Sequence, residues 1–173
     1  MAALDLVGQI LGIAGAGAAI LSFQMKNNKH LYIAQGISGL LFAVNYLILG
    51  AYTAAFINFI NLFRGAFLAS GEKFRKKRFL FLIEAMYLTS FIFTYSGVMS
   101  LLITLVQIFA TVLFWTNNGK WIRLSQLVVS SPIWLVNNIM AGTIGGVITE
   151  VVNIISIFVS FVRYGFNGFE KAK

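Results

Sequence analysis

Residues 134–156 read WLVNNIMAGTIGGVITEVVNIIS, and residues 42–64 read FAVNYLILGAYTAAFINFINLFR. Shifted by 92, Asn45 meets Asn137, Gly50 meets Gly142, Asn61 meets Asn153, Phe42 meets Trp134 and Asn58 meets Glu150. Further upstream the shift is 91, which pairs Lys29 with Lys120 and Gln35 with Gln126. One inserted residue near Pro132 accounts for the slip. Polar positions match inside runs where polar residues are rare, so the two stretches read as copies of one unit.

Composition sets the solvent. Of 173 residues, 59% are hydrophobic and 10% charged, where a soluble domain carries about 25% charged residues. So few charges cannot cover a globule in water, and the chain reads as one polytopic membrane domain over 1–173. It has no cysteine, and a membrane bundle needs no disulfide. The opening MAALDLVG has an acid where a cleaved signal carries basic residues, and it leads into a full-length apolar span.

Seven apolar segments approach the roughly 20 residues needed to cross a bilayer. They lie at 4–23, 30–49, 51–70, 78–96, 98–117, 121–141 and 143–163. Hydrocarbon admits only helices or closed barrels, and runs without period-two alternation mean helices, hence an all-α fold. Gly50-Ala51 and Gly142-Thr143 separate neighbouring spans with little else, and glycine takes such tight turns.

Lys and Arg in short loops stay cytoplasmic. Lys26 and Lys29 fall in the first loop, 73–78 in the third, Lys120 and Arg123 beside the fifth, and Arg163, Lys171 and Lys173 at the end. Arg64 lies inside span three on its third-loop end. All 13 basic residues thus belong to one side, which places the N-terminus outside and the C-terminus in the cytoplasm. Spans one to three form repeat one (4–70), spans five to seven form repeat two (98–163), and a linker helix (78–96) restores direction between them. A cytoplasmic tail (164–173) follows. The repeats are then parallel about a pseudo-twofold along the membrane normal, a known transporter plan. The basic loop 73–78 serves topology and anionic lipid, at about 1 kcal/mol per basic residue near the surface; a nucleic-acid role is not expected.

Asn61 and Asn153 are each the eleventh residue of their span, near the bilayer centre. Asn58 and Glu150 lie one turn outward on the same faces. Asn45 and Asn137 lie nearer the outside, with Phe42 and Trp134 one turn below. A charge at the centre of a membrane helix costs roughly 2.5–3.5 kcal/mol on insertion scales, so this column is expected to face the bundle axis. It reads as a solute pocket, with Glu150 as a possible proton carrier. The alternative is plain helix-to-helix bonding, about 0.6 kcal/mol per bond in membranes. Arg64 and Glu84 are expected to form an ion pair bracing span three against span four. Gly8 and Gly12, four apart, suit close helix contact.

Catalysis finds no support. The one His is interfacial, no His/Asp/Glu cluster has metal-ligand spacing, and Ser130 and Ser131 have no His or Lys at their depth. No metal or cofactor is expected.

SFQMKNNK (22–29), Gln35, LGAYTAAFINFINLFR (49–64) and SPIWLVNNIMAGTIGGVITEVVNIIS (131–156) together resemble the YgjV family of bacterial inner-membrane proteins. That family is grouped more distantly with the SWEET, PQ-loop and PnuC-like transporter folds, built as three plus one plus three helices with the N-terminus outside. In SWEETs a pair of asparagines lines the central pocket, and the resemblance puts Asn61 and Asn153 in those places. SWEET hinge prolines are absent here apart from Pro132, as is the Pro-Gln pair. The resemblance implies an inner-membrane location and a transporter or facilitator of a small polar solute. The alternative is a non-transporting receptor or assembly protein of the same fold.

Overall fold

The computed structural model describes residues 2–169; Lys171 and Lys173, assigned above to the tail, lie outside the described residues. Among the described residues there are seven long helices and no strand. These are α1 (Ala2–Gln24), α2 (Asn28–Ile48), α3 (Tyr52–Ala69), α4 (Lys77–Thr94), α5 (Val98–Trp115), α6 (119–141) and α7 (Ile144–Tyr164). Helix α6 is composite: α-helical over Gly119–Ser125, a π turn over Gln126–Ser130, and α-helical again over Ser131–Ala141.

Four of these helices, α1, α2, α5 and α7, are long and apolar enough to cross a membrane by length and composition. The other three differ for visible reasons. Helix α3 carries Asn58, Asn61 and Arg64, α4 carries Lys77, Arg78 and Glu84, and α6 is interrupted by its π turn.

Local chemistry ends the helices where the sequence suggests. The side chains of Asn27 and Asn118 cap α2 and α6, accepting from the amides of Lys29 and Lys120, and so fill one of the unpaired donors at each helix start. Gly50 and Gly142 close the tight α2–α3 and α6–α7 corners with φ of 73° and 68°, a left-handed conformation that disfavours a Cβ. The π turn falls just before Pro132. Proline has no N–H, so the α-helical bond to the Val128 carbonyl is missing there in any case. The Ser131 amide instead reaches five residues back to the Gln126 carbonyl. A π turn holds one residue more than the α-helix around it, and this one lies where the offset between the two stretches changes from 91 to 92.

Helix α1 packs between α2 and α7, α3 lies against α2, α4 and α5, and α5 also contacts α6. The α1–α7 crossing is backbone on backbone: a Cβ on Gly145 would stand 2.6 Å from the Gly12 carbonyl oxygen. Gly12 also leaves room for the Asn45 side chain, whose Nδ2 donates to the Gly8 carbonyl at 2.8 Å.

The molecule is apolar outside and largely polar within. Phe93 is 83% exposed, Val162 74% and Ile92 72%, while Asn28, Asn45, Asn138, Thr143 and Arg123 are buried. Water would not stabilise that arrangement, whereas hydrocarbon around the bundle does.

Candidate functional site: a polar cavity inside the bundle

At the centre of the bundle lies a cavity of about 70 Å³. Its walls come from α1, α2, α3, α5, α6 and α7, and most lining residues fall into pairs at the offsets found in the sequence. Ala19 and Ala110, and Gln35 and Gln126, stand 91 apart. Ser38 and Ser130, Phe42 and Trp134, Tyr46 and Asn138, Asn58 and Glu150, and Asn61 and Asn153 stand 92 apart. The step between the two offsets is the π turn.

Six of the eight residues expected in the pocket therefore line one cavity: Phe42, Asn58, Asn61, Trp134, Glu150 and Asn153. Asn45 and Asn137 do not. Asn45 is locked between helices, giving a hydrogen bond to Gly8 and accepting one from Thr143 Oγ1 at 2.8 Å. Asn137 is buried away from the cavity, with Nδ2 unpartnered. Successive residues point about 100° apart round a helix, and the next positions along, Tyr46 and Asn138, take the cavity face instead. The Tyr46 hydroxyl donates to Asn138 Oδ1. Phe42, Tyr46 and Trp134 form a continuous ring wall, with centroids 5.8 and 6.1 Å apart.

Asn61 and Asn153 share the cavity but differ in bonding. Asn61 Oδ1 accepts from the Tyr87 hydroxyl at 2.6 Å and from Gln107 Nε2 at 2.9 Å, which ties α3 to α4 and α5. Asn153 Oδ1 accepts nothing. Gln126, Ser131 and Asn153 surround the Glu150 carboxyl, yet Oε2 accepts no hydrogen bond, and Ser130 Oγ is likewise unpartnered. Asn58 turns its amide back on its own helix, to the Ala54 carbonyl at 2.9 Å.

The expected Arg64–Glu84 ion pair is not formed. Arg64 Nη1 donates to Thr111 Oγ1 at 3.1 Å, and the guanidinium lies 4.3 Å above the Phe114 ring. Glu84 lies within its electrostatic reach, but both carboxyl oxygens accept no hydrogen bond. The physical reason is direction: Arg64 shares the inward face of α3 with Asn61, one turn away, so its head enters the cavity rather than crossing to α4.

Arg123 shows a further difference. Counted by sequence as a loop charge, it is fully buried. It donates to the carbonyls of Gly119, Phe23 and Met25 at 3.2, 3.3 and 2.8 Å, and stacks 3.9 Å from the Phe169 ring. Those carbonyls include the open end of α1, and no motif in the sequence marks the contact. No cluster of three or more acidic, His or Cys side chains suited to a metal is found among the described residues.

An all-helical bundle with an apolar exterior and a buried polar cavity has the build of an integral membrane protein. The chain belongs to the Imp-YgjV family, bacterial inner membrane protein, whose model matches residues 6–167. No curated protein and no solved structure matches it.

Proposed function

We propose that the chain is a transporter or facilitator for a small polar solute, working by alternating access around Asn153, Glu150 and their neighbours. The observation that carries this reading is the cavity wall, built from residue pairs 91 or 92 apart. That pattern supports seven spans in two parallel three-helix repeats, 4–70 and 98–163, joined by α4. The α1–α7 and α3–α5 contacts correspond under the same offset. The one-sided basic residues support an N-terminus outside and a C-terminus in the cytoplasm. Lys73, Lys76, Lys77 and Arg78 are exposed and meet anionic lipid headgroups, whereas Arg75 folds back to the Leu68 carbonyl.

A cavity of about 70 Å³ is far below the roughly 300–1,000 Å³ of ligand pockets, so a solute enters only when the helices part. Two layers bound it along the axis. We assign Tyr46 and Asn138 to the layer on the side toward Gly50 and Gly142, and Arg64 and Phe114 to the layer on the cytoplasmic side; all four line the cavity. Opening one layer at a time gives access to each face in turn. Nothing in this reading requires bond chemistry, a metal or a cofactor.

The test is uptake into proteoliposomes across a panel of small metabolites, with Asn153→Ala and Glu150→Gln beside the parent chain. Flux of one solute class that both variants lose, while still folding, supports the reading; unchanged flux in both overturns the pocket assignment. Flux independent of pH in the parent and in Glu150→Gln removes proton coupling.

A second reading, a non-transporting receptor or assembly protein, is favoured by one observation. The Asn61 carbonyl is already saturated by Tyr87 and Gln107, as in a structural tie. That reading expects variants to lose stability and no solute to be moved.

A further inference from the structure

The cavity carries charge of both signs at different depths. Glu150 lies on α7 one turn outward of Asn153, and Arg64 lies on α3 one turn inward of Asn61. Because Asn61 and Asn153 correspond, the two charged positions are six residues apart in depth, about 9 Å along the axis at 1.5 Å per residue. Both side chains line the same cavity and both are buried. Neither forms an ion pair within it, although Glu84, outside the cavity, lies within electrostatic reach of Arg64.

Their unused hydrogen-bonding capacity has opposite character. At the Glu150 end the unpartnered atoms are Glu150 Oε2, Asn153 Oδ1 and Ser130 Oγ. Asn153 Oδ1 is an acceptor only, Glu150 Oε2 is one when the carboxyl is ionised, and the third is a hydroxyl, so a cationic donor at that end is met by all three. At the other end a guanidinium offers five N–H donors, of which one reaches Thr111, and no other acceptor among the described residues takes the rest. That end calls for an anionic acceptor. The aromatic wall of Phe42, Tyr46 and Trp134 stands at the Glu150 end, where its ring faces favour a cation.

We propose that the solute is a zwitterion with separated charges, an ω-amino carboxylate or a compound of that class. Its ammonium binds Glu150, Asn153 and Ser130, and its carboxylate binds Arg64. An α-amino acid, with both charges on one carbon, is too short to bridge the two depths, and a neutral polyol leaves both charges unpaired. The proposal rests on the solute-site reading and names its substrate class.

The experiment is thermal stability of the purified full chain with four matched probes: δ-aminovalerate, valerate, pentylamine and pentanediol. Each charged contact is a charge-assisted hydrogen bond, so δ-aminovalerate is expected to bind at least about tenfold more tightly than any of the other three. Glu150→Gln should erase its advantage over valerate but keep that over pentylamine, and Arg64→Gln should do the reverse. This crossed loss is a pattern that general destabilisation cannot produce, and the parent chain alone already tests the ranking. Equal shifts with pentanediol and δ-aminovalerate overturn the charge proposal and leave a solute site standing. No shift with δ-aminovalerate also overturns it, and the uptake panel then decides the solute reading separately.

Discussion

The Tyr46 hydroxyl donates to Asn138 Oδ1 across a sequence separation of 92. The bond joins α2 to α6 on the wall of the cavity. Both residues line the cavity on its side toward the Gly142 corner. Tyr46→Phe leaves a buried carbonyl oxygen unpaired, at a cost of about 1–3 kcal/mol. We expect a lower Tm and a looser closing layer. The native chain has no cysteine, so a Ser38→Cys reporter in the cavity should react faster with a water-soluble maleimide in the Tyr46→Phe background. An unchanged labelling rate would show that this bond does not control access.

Asn61 and Asn58 separate structure from lining. Asn61→Ala deprives Tyr87 and Gln107 of their shared acceptor and should cost about 2–4 kcal/mol, the lower part of the range for two buried groups left unpaired. Asn58→Ala removes only a bond to its own helix and should cost under about 1 kcal/mol. Denaturation of the two variants in the same detergent compares them. Equal losses would refute the hub at Asn61.

The α1–α7 crossing leaves no space for a methyl group. Gly145→Ala places Cβ against the Gly12 backbone, an overpacking that costs typically 1–3 kcal/mol. Gly17→Ala is the control, since a Cβ there meets nothing within 4 Å, and helix propensity then favours alanine by about 1 kcal/mol. Thermal unfolding should move in opposite directions for the two substitutions.

Arg123 fastens α6 to the end of α1 through the Phe23 and Met25 carbonyls and also bonds Gly119 of its own helix. Arg123→Met keeps much of the apolar stem and loses the donors, with an expected loss on the order of 3 kcal/mol. Arg123→Lys should recover only part of it, because an ammonium lacks the planar fork that reaches separate acceptors and stacks on Phe169. Proteolysis at the α1–α2 loop, compared across the three proteins, reads the release of the α1 end.

Much of this bundle is legible in the sequence because polar residues are expensive in lipid, so each one carries information. The α2–α3 and α6–α7 corners follow from Gly50 and Gly142, and the axis-facing positions from the Asn58/Glu150 and Asn61/Asn153 correspondences. The one-residue slip is legible too, though not its form as a π turn. What the sequence hides is direction. Asn45 and Asn137 match as well as Asn61 and Asn153 do, yet face about 100° away from their cavity-lining neighbours. Tyr46 and Asn138 escape notice because the pair shares an offset but no chemical likeness. Arg64 and Glu84 have opposite charge and suitable depth, but helix phase sends the guanidinium to Thr111. Arg123 counts as a loop charge until the tertiary fold closes over it.

The π turn at Gln126–Ser130 gives α6 a surplus residue that α2 lacks. In mechanical terms α2 is a uniform rod, and α6 is a rod with slack near its middle. A rod with slack can twist its far end, which carries Trp134 and Asn138, by redistributing hydrogen bonds instead of breaking the helix. A chain shortened by one residue at exposed Val128 is therefore expected to be stiffer and better ordered along α6.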